Sequence, residues 1–253
     1  MYIRLVRLKI DDDKLWRARV FYEERVLPEL DATPGCCFAG LLQSSIHGDD
    51  ILSMSVWEDP KAAAAYHTSG LYDRLLDESD EAVLAAPLDE RVEPRGAQTP
   101  VVFTADEPEL DAGSVVGGLD LGVLAKVVAG RGFVRLVTVR LRPDAGVDFE
   151  GRYQDEIRPV LAEIPGCLDS FLVVSDRDPS HVLSVTLWER EEDAVRYSLS
   201  GQFERLTDRL QDLFSDLYQW TPASSAEGDD GLRRLRPEPD VDGYILTVGR
   251  RLV

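Results

Sequence analysis

Two arginines interrupt otherwise apolar stretches of this chain at matching places: Arg4 within Tyr2-Ile3-Arg4-Leu5-Val6, and Arg135 within Phe133-Val134-Arg135-Leu136-Val137. A guanidinium among apolar neighbours is costly unless it meets a carboxylate or an anionic ligand. Glu58 and Glu189, which share the same spacing, are the expected partners. The three histidines are His47, His67 and His181. His47 and His181 fall in turn sequences and read as exposed, whereas His67 follows Tyr66 in a helical stretch and could exchange a proton near neutral pH. The cysteines, Cys36, Cys37 and Cys167, have no C-x-x-C or Cys/His ligand spacing, so small buried thiols are expected rather than a metal site. No phosphate loop, dinucleotide fingerprint or Ser-His-Asp pattern is present.

The offset of 131 residues between Arg4 and Arg135 recurs. It carries Tyr22 onto Tyr153, Pro34-Gly35-Cys36 onto Pro165-Gly166-Cys167, Trp57-Glu58 onto Trp188-Glu189, Tyr66 onto Tyr197 and Ser69-Gly70 onto Ser200-Gly201, with no gap. The chain is a tandem duplication. Each copy reads strand, helix, strand, strand, helix. Period-two alternation marks the first strand, with Tyr2, Val6, Leu8 and Ile10 on one face. Four-residue steps through Ala18, Tyr22, Val26 and Leu30 mark the first helix, which Pro-Gly ends. Two strands follow around the His47–Asp50 turn. A second helix is expected from Asp59-Pro60 through Tyr66 to Leu76, with its copy running through Tyr197 to about Leu217.

These patterns divide the chain into a repeat over 1–86, a linker over 87–131, a second repeat over 132–220 and a tail over 221–253. The linker holds a candidate strand, Val101–Thr104, an acidic stretch and an apolar segment from Leu119 to Ala129. The tail holds a polar segment, with Ala223–Asp230 expected to be mobile, and a strand at Tyr244–Val248. The sequence leaves open an exchange of these last strands between the halves.

A net charge of −19 with interspersed arginines argues against nucleic acid as a partner. No apolar run has the roughly 20 residues of a membrane helix, and the N-terminus opens directly in a strand pattern without a leader. A cytoplasmic protein with no membrane partner is the expectation.

A strand-helix-strand-strand-helix-strand unit is ferredoxin-like. With Pro-Gly before the second strand, Trp-Glu closing the third and Tyr-x-x-Ser-Gly in the helix after it, each copy resembles the antibiotic biosynthesis monooxygenase superfamily of dimeric α+β barrels. The resemblance implies an α+β fold in which two ferredoxin-like repeats pair their antiparallel sheets into one intramolecular barrel, formed in cis. It also implies a pocket between sheet and helices. Tyr22, Trp57, Tyr66 and His67 would line it with Arg4 in repeat one, and Tyr153, Trp188, Tyr197 and Arg135 in repeat two, where Ser198 replaces the histidine. For a cofactor-independent oxygenase acting on a small aromatic or quinol substrate, His67 would be the base and Arg4 would stabilise the resulting anion. No cofactor or metal is implied. The heme-degrading branch has Asn, Trp and His where this chain has Val6, Tyr66 and Leu76, and Val137, Tyr197 and Thr207; the chain contains no Asn. Two readings stay open: an oxygenase, or a non-catalytic barrel that binds a small apolar ligand or serves as a scaffold.

Overall fold

The computed structural model describes residues 1–79, 109–130, 132–215 and 240–252. Repeat one contributes β1 (Tyr2–Lys9), a first helix α1 spanning 15–31, β2 (Cys36–Ser44), β3 (Asp50–Trp57), α2 (Pro60–Thr68) and α3 (Leu71–Ser79). Then come β4 (Glu109–Val116) and α4 (Leu121–Gly130). Repeat two supplies β5 (Phe133–Arg140), α5 spanning 146–162, β6 (Cys167–Ser175), β7 (His181–Trp188), α6 (Glu191–Leu199) and α7 (Gln202–Asp208), and β8 (Asp240–Arg251) follows.

The eight strands close into one antiparallel barrel in the order β1-β3-β2-β8-β5-β7-β6-β4. Each half is a four-stranded sheet, β4-β1-β3-β2 and β8-β5-β7-β6. Two seams join them: β2 to β8 over Phe38↔Arg251 through Ser44↔Tyr244, and β4 to β6 over Gly113↔Ser175 through Val116↔Leu172. The linker and tail strands therefore do not exchange between halves. Each lies beside its own repeat's first strand and offers its other edge to the opposite repeat.

Strand alternation sorts the side chains into three cores. Ile3, Leu5, Phe38, Met54, Leu136, Phe171 and Tyr244 fill the barrel, which α4 plugs with Leu124 and Val127. The outward faces form the other two cores, one beneath each repeat's helices. The first five residues of β1 and of β5 are buried on both faces, and apart from Arg4 and Arg135 they read as an apolar run.

Both first helices contain a π-turn, Tyr22–Val26 and Tyr153–Ile157, where the Leu27 and Arg158 N–H groups donate to the carbonyls of Tyr22 and Tyr153 five residues back. Pro28 and Pro159 follow immediately. A proline lacks the N–H for the normal ladder and crowds the carbonyl four residues before it, and the widened turn accommodates it.

Three expectations change. The second helix of each repeat is two helices, because Gly70 (φ 74°) and Gly201 (φ 70°) take left-handed backbone that breaks the ladder. The linker strand sits at Glu109–Val116, inside the stretch read as acidic. The tail strand begins at Asp240, earlier than Tyr244. The expected strand Val101–Thr104 and the segment Ala223–Asp230 lie outside the described residues.

Gly113 sits at the β4–β6 seam, where an added Cβ would lie 2.1 Å from the carbonyl oxygen of Val174. Replacement by valine should force the seam apart and cost about 2 kcal/mol or more, read as a lower midpoint in urea unfolding.

Candidate functional site

The repeated motifs prove to be joints of the scaffold. The N–H of Glu58 donates to the carbonyl of Gly35 at 2.8 Å, and Glu189 does the same to Gly166 at 2.8 Å, so Trp-Glu and Pro-Gly hold one another through backbone. Both glycines have positive φ, and a Cβ on Gly35 would lie 2.6 Å from that of Ala62. Ser69 and Ser200 donate to the carbonyls of Tyr66 and Tyr197 at 2.7 Å and accept from the next helix's first N–H groups at 3.2 Å. They cap both helices at the break. Trp57 and Trp188 are fully buried; their indole N–H groups donate to Ser55 at 3.0 Å and Thr186 at 2.8 Å. Each stacks on its repeat's helix tyrosine, Tyr66 at 5.0 Å and Tyr197 at 5.3 Å. Neither tryptophan lines a cavity.

Beneath the helices of repeat one runs a cleft lined by Tyr22, Tyr66 and Tyr72 among aliphatic side chains. The Tyr22 hydroxyl is paired with Ser53 Oγ at 3.2 Å. Arg4 lies behind Tyr66 and Tyr72, its guanidinium carbon 5.1 and 4.8 Å from their ring centres. Glu58 is exposed and is not its partner; both terminal nitrogens of Arg4 are buried without a hydrogen bond. Burial lowers its pKa, opposed by the nearby tyrosines.

His67 occupies the exposed side of α2, its ring 5.5 Å from that of Tyr72. The structure does not bring it into the cleft. Ala63 and Tyr66 face inward on this helix, so the residue after Tyr66, turned about 100° further round, points away.

Arg135 itself lines the equivalent cavity in repeat two, with Tyr153, Tyr197, Ser184, Thr186 and Phe203. Arg135 lies 4.2 Å from the Phe203 ring centre and 5.5 Å from that of Tyr197. The Tyr153 hydroxyl is buried without a hydrogen-bond partner. Ser170 and Ser184 are near enough to favour its ionised form, but desolvation dominates and pushes its pKa up to about 12. The phenol therefore stays a donor. Phe149 stands where repeat one has Ala18, Leu210 where it has Ser79, and Phe214 adds a further ring.

Tyr72 and Phe203 escaped the sequence reading. They lie beyond the Ser-Gly break, where the periodicity of the preceding helix no longer indicates what faces inward. The cysteines carry no chemistry: burial pushes the Cys36 and Cys167 thiols up to about 12 and raises Cys37. Among the described residues, no group of His, Cys, Asp and Glu could hold a metal ion, and no helix is long and apolar enough to cross a membrane.

A search of curated proteins finds no significant match. Solved structures share the fold. A proposed monooxygenase from Lactobacillus acidophilus NCFM superposes with a TM-score of 0.61 at 10% identity, covering 99% of this chain and 96% of its own. One from Fusobacterium nucleatum gives 0.62 at 7% identity, covering 99% and 94%. An anthrone oxidase-like protein gives 0.57 at 12% identity, covering 99% and 92%. The sequence profile of the antibiotic biosynthesis monooxygenase family matches residues 1–78 and again 132–209, more than half of the chain. With both copies matched and their sheets closed into one barrel, the chain belongs to the antibiotic biosynthesis monooxygenase family as a tandem duplication.

Proposed function

We propose that the protein is a cofactor-independent monooxygenase of small phenolic or quinol substrates and that repeat two holds the reacting site. One observation carries this reading: Arg135 and Tyr153, whose hydroxyl is buried without a hydrogen-bond partner, line the same cavity beneath the helices. An aromatic substrate would lie among Phe149, Tyr197, Phe203 and Phe214. Its oxygen would meet the guanidinium, which favours the phenolate by direct charge attraction. Electron density released into the ring then reduces dioxygen. For a naphthol, one oxygen atom enters the ring to give the naphthoquinone, the other leaves as water, and the balance needs no external reductant. The Tyr153 hydroxyl donates to the oxygen on which charge develops.

No titratable base lines this cavity; its hydroxyls are all donors at neutral pH. The substrate must therefore bind ionised or lose its proton to water at the cavity mouth. His67, on the exposed side of the other repeat, is not required: water takes the proton in place of the expected base, and Arg135 stabilises the anion.

Oxygen uptake with a naphthol should proceed without added flavin or metal. Arg135→Met should lower kcat/KM about a hundredfold and Tyr153→Phe about tenfold, on the scale of removing single charge-stabilising donors. His67→Ala should stay within about twofold. Naphthol binding without oxygen uptake would leave the non-catalytic reading in its place.

Acid should slow the reaction. With the substrate as the titrating group, kcat rises about tenfold per pH unit and levels off above the phenol pKa of the bound substrate as lowered by Arg135, whereas kcat/KM levels off at that of the free phenol. Arg135→Met should move the kcat plateau to higher pH in a stopped-flow profile and leave the kcat/KM plateau in place.

A further inference from the structure

Arg4 has no part in that chemistry, yet among the described residues it has two buried polar atoms without a hydrogen-bond partner. It is 4% exposed, and neither terminal nitrogen has a hydrogen-bond partner. The one carboxylate whose charge it feels is Asp73, exposed on α3, and the two form no ion pair. Two tyrosine faces hold the cation. Ring faces offset only part of the cost of desolvating a guanidinium and give its N–H groups no acceptor in the ring plane. An anion would complete the site.

The other surface of those rings borders the cleft of repeat one, whose remaining walls are mainly aliphatic: Val6, Leu8, Ile10, Val26, Leu41 and Leu75. A tail-shaped apolar space ends at two tyrosines with a cation behind them. Tyr72 is the less buried member of the pair. It lies in the first turn of α3, two residues after Gly70, whose left-handed backbone breaks the helix. Repeat two lacks this arrangement: Phe149, Leu210 and Phe214 occupy the corresponding volume, and Arg135 opens directly on its cavity.

We infer that repeat one is a second binding site, for an aliphatic carboxylate of the medium-chain fatty acid type. The tail lies in the cleft and the head reaches Arg4 when Tyr72 turns aside. A single guanidinium fork matches a planar carboxylate. A doubly charged phosphate would need another cation, and no Lys, Arg or His lines the cleft.

Calorimetric titration of the full chain with octanoate and, separately, octanol tests this. One octanoate should bind per chain, at least about tenfold tighter than octanol, a difference of ~1.4 kcal/mol. Arg4→Met should erase the preference without lowering the melting temperature, and Tyr72→Ala should tighten octanoate binding by removing the cover. Equal affinity for the two ligands would overturn the inference, as would loss of the preference in Arg135→Met in place of Arg4→Met. Should Arg4→Met fail to fold, Tyr72→Ala decides: unchanged or weaker octanoate binding refutes the site. None of these readouts involves oxygen uptake, so the oxygenase reading stands or falls separately.

Discussion

Everything in this molecule depends on strand edges finding partners. A four-stranded sheet leaves two edges of unpaired N–H and C=O groups, and its helices cover only one face. A second copy answers both needs at once. The outer edges of β2 and β4 bond to β8 and β6, and the uncovered faces become the two walls of one lumen. Since the copies are covalently joined, this pairing does not depend on protein concentration. Closure leaves no exposed edge between the described strands.

The same closure decides where chemistry can happen. The lumen is filled mainly by apolar side chains and by α4, with Arg7 of β1 bonded to Tyr244 and Asp242 of β8. The inward positions of β1 and β5 are thereby committed to packing and strand-to-strand contacts, and the outward positions face the helices. Arg4 and Arg135 are outward, so each charge is trapped between sheet and helix, where burial is deep and counter-charges are scarce. The surrounding joints keep that layer rigid: Gly35 to Glu58, Gly166 to Glu189, and each tryptophan to the hydroxyl two residues before it. Fully buried tryptophans of this kind contribute about 3–5 kcal/mol each when measured by truncation. Such a scaffold can tolerate a buried arginine in each half, one of them with no hydrogen bond at either terminal nitrogen.

Most of the fold was legible because it rests on periodicity and on internal repetition. The first strands, the first helices and the two-copy barrel follow from alternation, four-residue steps and the constant offset. What stayed hidden lies where tertiary pairing outweighs local preference. Glu-Leu-Asp-Ala-Gly-Ser-Val-Val is a poor strand by composition, yet β4 forms because β1 and β6 both bond to it. Repetition of Glu58 and Glu189 suggested ion pairs with the arginines. Their backbone N–H groups are what the scaffold uses, and repetition alone cannot distinguish backbone from side-chain roles. The identity of the cavity-lining residues beyond Ser-Gly was likewise lost, since a break in helical phase resets which positions face inward.

Fusion has a further consequence that a paired homodimer cannot share. In a homodimer every substitution enters both sites together, so a change that helps one ligand must be tolerated at the other copy. Here the halves have diverged at the positions that shape the cavities: Ala18 against Phe149, Tyr72 against Phe203, Ser79 against Leu210. The positions that build the scaffold have stayed the same. Arginine itself is unchanged in both, but its surroundings are not. In one half it faces a cavity crowded with aromatic rings, and in the other it is covered by two tyrosines at the end of an aliphatic cleft. On the two proposed readings, an identical cation in two unlike cavities would select two unlike ligands, because the charge fixes only that each carries an acceptor. The apolar walls decide the rest.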